Sequence, residues 1–176
     1  MMEPGSLSKK RIILGVTGSI AAVETVRLAH ALRREGASVT AVMTEAATRI
    51  IHPDALTYAT GNDAITALSG HVEHVTFCGE GGCADLLLIA PCTANTLCKI
   101  ARGIDDTPVT TFASTALGAG LPVVVAPAMH ESMYRHPGVS ECIRCLSSWK
   151  VTVIPPRREE GKAKIADIDE IVLWCC

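Results

Sequence analysis

Gly15-Val16-Thr17-Gly18-Ser19-Ile20-Ala21-Ala22 is the stretch on which the reading of the fold turns. Together with Arg11-Ile12-Ile13-Leu14 before it, it opens as a short apolar, β-branched run from Arg11 to Thr17, the pattern of a parallel strand buried on both faces. Gly18-Ser19 interrupts that run. From Ile20 to Arg34 the apolar residues Ile20, Val23, Val26, Leu28, Ala31 and Leu32 recur at helical spacing. A strand that passes through a Gly-Ser turn into a helix leaves backbone N–H groups and the positive end of a helix dipole pointing outward, a setting suited to phosphate. Gly18 lets a ligand approach the backbone, and Ser19 adds a hydroxyl donor.

The same alternation continues down the chain. Residues 1–10 are expected to be a disordered lead-in and residues 11–176 one domain. Glu35-Gly36 stops the first helix, and Ser38 to Met43 is a second strand. Thr44 caps the helix that follows, and Pro53 to Ala59 is a short helix stopped near Gly61. Gly70, Gly79, Gly81 and Gly82 make 71–84 irregular. Asp85 to Ala90 is a third strand, meeting Pro91-Cys92-Thr93-Ala94-Asn95-Thr96 and a helix to about Ala101. Thr107 to Leu117 is helical, and Pro122 to Ala126 is a fourth strand ending in the turn Pro127-Ala128-Met129-His130. A helix over Val139 to Ser148, a last strand at Val151 to Ile154, a charged mobile flap from Pro155 to Lys164 and a closing helix from Asp167 to Trp174 complete the chain.

Strands alternating with helices predict a single α/β domain with a parallel sheet and helices on both faces, Rossmann- or flavodoxin-like. Ligands bind such sheets beyond the carboxyl ends of the strands. Gly18-Ser19, Thr44, the 93–96 turn and the 128–130 turn all stand at such ends, so convergence on one ligand is expected.

Composition narrows the partners. A chain of 176 residues is long enough for one sizeable core, and its net charge of −2 carries no basic footprint for nucleic acid. No apolar run reaches membrane-spanning length and residues 1–10 lack a signal-peptide core, which points to the cytoplasm. Eight cysteines in such a chain are read as reduced thiols. With aromatic residues at only 3%, a planar cofactor would be covered by aliphatic groups, backbone or another subunit. Cys78 and Cys83 with Cys142 and Cys145 form a rival metal-ligand pattern, but the second pair lies in a predicted helix and no metal site is assigned.

The three turns, Gly15 to Ala22, Ala90 to Leu97 and Pro127 to Tyr134, occur in the order and spacing that resembles the homo-oligomeric flavin-containing cysteine decarboxylases, over Arg11 to about Ile171. Within that family the resemblance is greatest to the branch that acts on 4'-phosphopantothenoylcysteine in coenzyme A biosynthesis. It implies an FMN-dependent carboxy-lyase that forms 4'-phosphopantetheine from this small-molecule substrate, works as a homotrimer or higher homo-oligomer with its site between subunits, and is fused to or works with a phosphopantothenoylcysteine synthetase. It implies FMN contacts at Gly18, Ser19, Ile20, Thr44, Thr93, Ala94, Asn95, Thr96, Ala128 and Met129, and substrate contacts at His130, Met133 and Lys162. His74 corresponds to the family's catalytic histidine, with His71 the less favoured competitor; an imidazole moves protons near neutral pH.

Three features depart from the family pattern. The segment Cys78 to Cys83 lengthens the loop after His74. His130 stands where the family carries the Asn that binds the substrate carboxylate. The flap, Arg157 to Lys164, has no Cys where the coenzyme A branch has its proton donor, leaving Cys142, Cys145, Cys175 and Cys176 as substitutes, with Lys162 or Lys164 a contact for substrate phosphate. An FMN-dependent reductase or electron-transfer flavoprotein on the same fold is the alternative reading, and a regulatory subunit with a degenerate flavin pocket a third.

Overall fold

The computed structural model describes residues 5–159 and 162–176. Five parallel strands form the main sheet: β1 (Arg11–Val16), β2 (Ser38–Met43), β3 (Leu86–Cys92), β4 (Val123–Pro127) and β6 (Thr152–Val153), in the order β2-β1-β3-β4-β6. Because β1 and β3 are near-continuous runs of apolar residues, both faces of the sheet can be covered, and two apolar layers form. Ile12, Leu14 and Val16 face one layer, with Leu28 and Leu32 of α1 (Thr25–Arg34), Leu56 of α3 (Pro53–Thr60) and Ile171 of α9 (Ile168–Trp174). Ile13, Leu87 and Ile89 face the other, with Leu97 of α5 (Ala94–Ala101), Phe112 of α6 (Pro108–Ala119) and Leu146 of α8 (Pro137–Ser148). The parallel sheet with helices on both faces is therefore present as expected.

The polar caps are set by local sequence. Thr44, Thr93 and Thr107 each accept a backbone N–H three residues on, opening α2 (Glu45–Thr48), α5 and α6. Left-handed Gly61 and Gly120 close α3 and α6.

Four expectations are corrected. The lead-in is not disordered from residue 5 onward: Leu7 is fully buried and its N–H donates to the Glu35 carbonyl, because an apolar side chain here plugs the bottom of the α1 layer. Residues 1–4 lie outside the described residues. The 71–84 segment contains a helix, α4 (Glu73–Cys78), short enough to fit between its glycines. The helix after the first turn begins as a 3-10 segment at Ile20–Glu24, with α1 proper starting only at Thr25. Finally, β6 is not the last strand. β7 (Arg157–Glu159) and β8 (Lys162–Lys164) form a hairpin, and β8 pairs antiparallel with β5 (Met129–His130) in a second, three-stranded sheet. The charged flap is thus hydrogen-bonded to the turn after β4.

Candidate active site

The sheet order makes β1 the switch point: the chain leaves β1 for β2 on one side and then returns to place β3 on the other. Ligand crevices in open α/β sheets form there, beyond the carboxyl ends. The turn after β1 and the turn after β3 are joined across this crevice by Thr17, which is buried. Its Oγ1 donates to the Pro91 carbonyl at 2.8 Å and accepts the Thr93 N–H at 3.0 Å. The Ala128 N–H donates to the Cys92 carbonyl at 3.0 Å, tying in the end of β4, and the Thr44 N–H donates to the Val16 carbonyl at 3.0 Å, tying in the end of β2. Four consecutive strand ends are locked into one rim. Thr17 is missing from the sequence-derived site, because a Thr ending a buried strand carries no signal beyond β-propensity.

Around that rim each predicted residue has a definite place. Gly18 is closed in by α2: a Cβ there would stand 2.5 Å from the Ala46 Cβ. The glycine therefore admits a helix of its own chain, a reason the sequence did not suggest. Ser19 caps the 3-10 segment, its Oγ accepting the Ala21 N–H at 3.3 Å. The full dipole of an α-helix expected at this turn is absent, since α1 starts six residues later than Ser19. Thr93 accepts the Thr96 N–H and donates to the Thr96 hydroxyl, both at 3.2 Å, while Ala94 and Thr96 are buried under the turn. Asn95 points outward from it and is exposed.

A cavity of about 940 Å³ opens beside the rim, lined by Ser19, Ile20, Met129 and His130, by Arg157 and Lys164 of the hairpin and by the start of α9. Its volume lies at the upper end of the small-ligand range. Arg157 pairs with Asp167, the cap of α9, so the hairpin and α9 form one wall. Met133, half exposed on α7 (Glu131–Tyr134), does not line this cavity, and the Lys162 side chain lies outside the described residues.

His74 stands elsewhere. It sits on α4, in the layer of Phe112, with the two rings 6.4 Å apart and edge-on at 68°. The cavity belongs to the layer of Leu28 and Ile171, across the sheet. The His74 Nδ1 is buried and has no hydrogen-bond partner among the described residues, an unmet polar group of the kind a functional site leaves open. Its backbone setting is over-determined. Val72 is held at φ +46°, an uncommon conformation for a β-branched residue. The Glu73 carboxylate accepts from the Ser69 hydroxyl and from the Ser69 N–H at 3.1 Å, which holds its pKa at about 2. His71 is exposed; its N–H donates to the Ser69 hydroxyl at 3.1 Å and its carbonyl accepts from the Thr76 hydroxyl at 3.5 Å.

The cysteines that could replace a flap thiol do not line the cavity. Cys142 and Cys145 lie on α8 in the opposite layer, and burial pushes the Cys175 thiol up to about 12. All eight thiols are free, and among the described residues no group of three or more His, Cys, Asp or Glu side chains is gathered to hold a metal.

A flavodoxin-like sheet order with polar turns locked together at its switch point defines an α/β protein of the cofactor-binding type. The chain belongs to the Flavoprotein family, whose model matches residues 1–176. It is 57% identical over 164 residues to the coenzyme A biosynthesis bifunctional protein CoaBC of Thermococcus kodakarensis, a match that covers 93% of this chain and 40% of that protein. The chain thus spans about two fifths of the length of that relative. Among solved structures, the FMN-dependent cysteine decarboxylase SpaF superposes with a TM-score of 0.79 at 27% identity, covering 97% of this chain and 100% of that one. A mutant PPC decarboxylase complexed with pantothenoylaminoethenethiol superposes with a TM-score of 0.76 at 28% identity, covering 94% of this chain and 96% of that one.

Proposed function

We propose that the chain is an FMN-dependent decarboxylase that converts 4'-phosphopantothenoylcysteine to 4'-phosphopantetheine in coenzyme A biosynthesis. The observation that carries the reading is the locking of the first, third and fourth strand-end turns into one rim beside the cavity. The identity to a bifunctional coenzyme A protein and the likeness to a decarboxylase holding an enethiol support it. FMN fits the residues present. Ser19, Thr44, Thr93 and Asn95 supply hydroxyl and amide groups at the strand ends, Ile20, Ala94, Ala128 and Met129 supply apolar cover, and Gly18 and Thr96 shape the turns. When bound, FMN supplies the two-electron chemistry that makes the cysteine carboxylate able to leave.

The chain's own residues bind, orient and move protons. His130, exposed at the cavity mouth, binds the substrate carboxylate through an imidazole N–H. Arg157 and Lys164 on the hairpin line the cavity and take the substrate phosphate, a role the sequence also assigns to Lys162. His74 handles the proton at the thiol. Since His74 and the cavity lie on opposite faces of the sheet, the site is completed by a second copy, in a homotrimer or higher homo-oligomer. Ile20 and Val23 beside the cavity and Val72 and Val75 beside His74 are each about half exposed or more, as surfaces awaiting cover are. A phosphopantothenoylcysteine synthetase, fused to this chain or working with it, supplies the substrate; the relative that is 57% identical is a bifunctional coenzyme A biosynthesis protein. The cytoplasm is the compartment this reading assigns to the activity; no helix among the described residues is long and apolar enough to cross a membrane.

Anaerobic turnover of 4'-phosphopantothenoylcysteine by the FMN-loaded protein tests this: stoichiometric CO2 and 4'-phosphopantetheine are expected. The absence of Cys from the flap favours a second reading, an FMN-dependent reductase or electron-transfer flavoprotein. No CO2, with flavin reduced by another donor, would replace the first reading by the second. A colourless protein that takes up no FMN would overturn both.

A further inference from the structure

The hairpin is attached to the body of the molecule by little backbone. Among the described residues the β5–β8 ladder has two registered pairs, Met129 with Ala163 and His130 with Lys162. A ladder this short has marginal stability of its own. Side chains must therefore hold the hairpin against the turn that carries His130. On its outer strand Arg157 is paired with Asp167 at the surface. At the other end stands Glu131, the residue after His130 and the first of α7.

Glu131 is unlike a surface helix carboxylate. Its side chain is only 13% exposed. Its Oε1 accepts the Nε–H of Arg135, the C-terminal cap of α7, at 2.8 Å and lies 3.8 Å from the Arg158 Nε on β7. Its Oε2 is buried with no hydrogen-bond partner among the described residues. A desolvated carboxylate is costly unless cations compensate it, so both arginines are drawn to it. Arg135 caps the end of the same short helix. Arg158 is the one contributed by the hairpin.

The geometry points to Glu131 as a positioning residue: by holding Arg158 it fixes the β7–β8 hairpin against Met129–His130 and so sets the height of the His130 imidazole at the cavity mouth. The effect on substrate rests on the proposed decarboxylase reading, while the effect on the hairpin does not. Loss of the carboxylate loosens a binding contact and leaves proton handling at His74 untouched, so KM changes and kcat does not.

The test compares Glu131→Gln, Arg158→Gln and the double variant in the FMN-loaded protein. Hydrogen exchange of peptides spanning 128–134 and 157–166 is expected to quicken by roughly tenfold in each single variant, with no further increase in the double. KM for 4'-phosphopantothenoylcysteine is expected to rise roughly tenfold with kcat held within about twofold. Glu131→Asp should restore part of the loss. Unchanged exchange in both single variants, or effects that multiply in the double, would overturn the proposal. So would a fall in kcat at unchanged KM. If Glu131→Gln does not fold, Arg158→Gln, whose side chain is 67% exposed, decides the question by the same readings. Quickened exchange in a protein that releases no CO2 would sustain the role of Glu131 and overturn the decarboxylase reading instead.

Discussion

Thr17 ends β1 with a hydroxyl that donates to the Pro91 carbonyl and accepts the Thr93 N–H. Thr17→Val keeps the β-branched shape that suits the strand and deletes both bonds. The Thr93 N–H is then left without its acceptor beneath the turn, an omission that costs about 1–3 kcal/mol. A lower urea midpoint with an unchanged m-value is expected; an unchanged midpoint would mean that the hydroxyl does not join the two turns. His74→Asn argues differently, since its Nδ1 makes no hydrogen bond within the described chain and its loss removes no internal bond there. That variant should keep its FMN and its thermal midpoint within a few degrees while losing CO2 release. Normal turnover would remove His74 from the mechanism. The contrast marks what single residues reveal in a sequence. Thr44 and Thr93 are legible as caps because the groups they accept lie three residues away. Thr17 is not, because its partners are 74 and 76 residues distant.

Among elements, the parallel strands were readable because burial on both faces demands uninterrupted apolar runs, as in Leu86–Cys92. The hairpin was not. Arg157–Glu159 and Lys162–Lys164 are too short and charged to show a strand period, and what makes them strands is pairing with Met129–His130 far back in the chain. The first turn lies between these cases. Its glycine was readable as a tight approach, yet the approaching body is α2 and not only a ligand. Gly18→Ala places a methyl 2.5 Å from the Ala46 Cβ and 3.2 Å from the Ala46 carbonyl carbon, so α2 must move. Overpacking of this kind costs about 1–3 kcal/mol. Ala46→Gly in the same chain should recover part of it, less the penalty of a glycine in a helix of about 1 kcal/mol. Full stability of Gly18→Ala in thermal unfolding would show that the contact with α2 does not require glycine.

For the whole molecule, the decisive fact is that one sheet separates the two halves of the proposed chemistry. The cavity with His130 opens on the α1 and α9 layer, and His74 packs on Phe112 in the α4 and α6 layer. Sequence order gave no sign of this, since the face on which a helix packs is set by the crossover of the chain around the sheet. If a site is made of His74 from one copy and the cavity of the next, defects in the two can complement. His74→Asn lacks the proton-handling group, and His130→Asp repels the substrate carboxylate, so each variant alone should release no CO2. Coexpressed with different tags and purified through both, randomly mixed oligomers contain sites that draw an intact His74 from one variant and an intact His130 from the other. Purification through both tags excludes unmixed rings, and a mixed ring of three has one productive interface in three, so activity of about one third of the unmodified protein is expected for a homotrimer. A site contained in one chain would give no activity in any mixture, because every chain then carries a defect of its own. That outcome would require the His74 side of the molecule and the cavity to serve one substrate across the strand ends within a single subunit, and it would remove the physical need for a second copy.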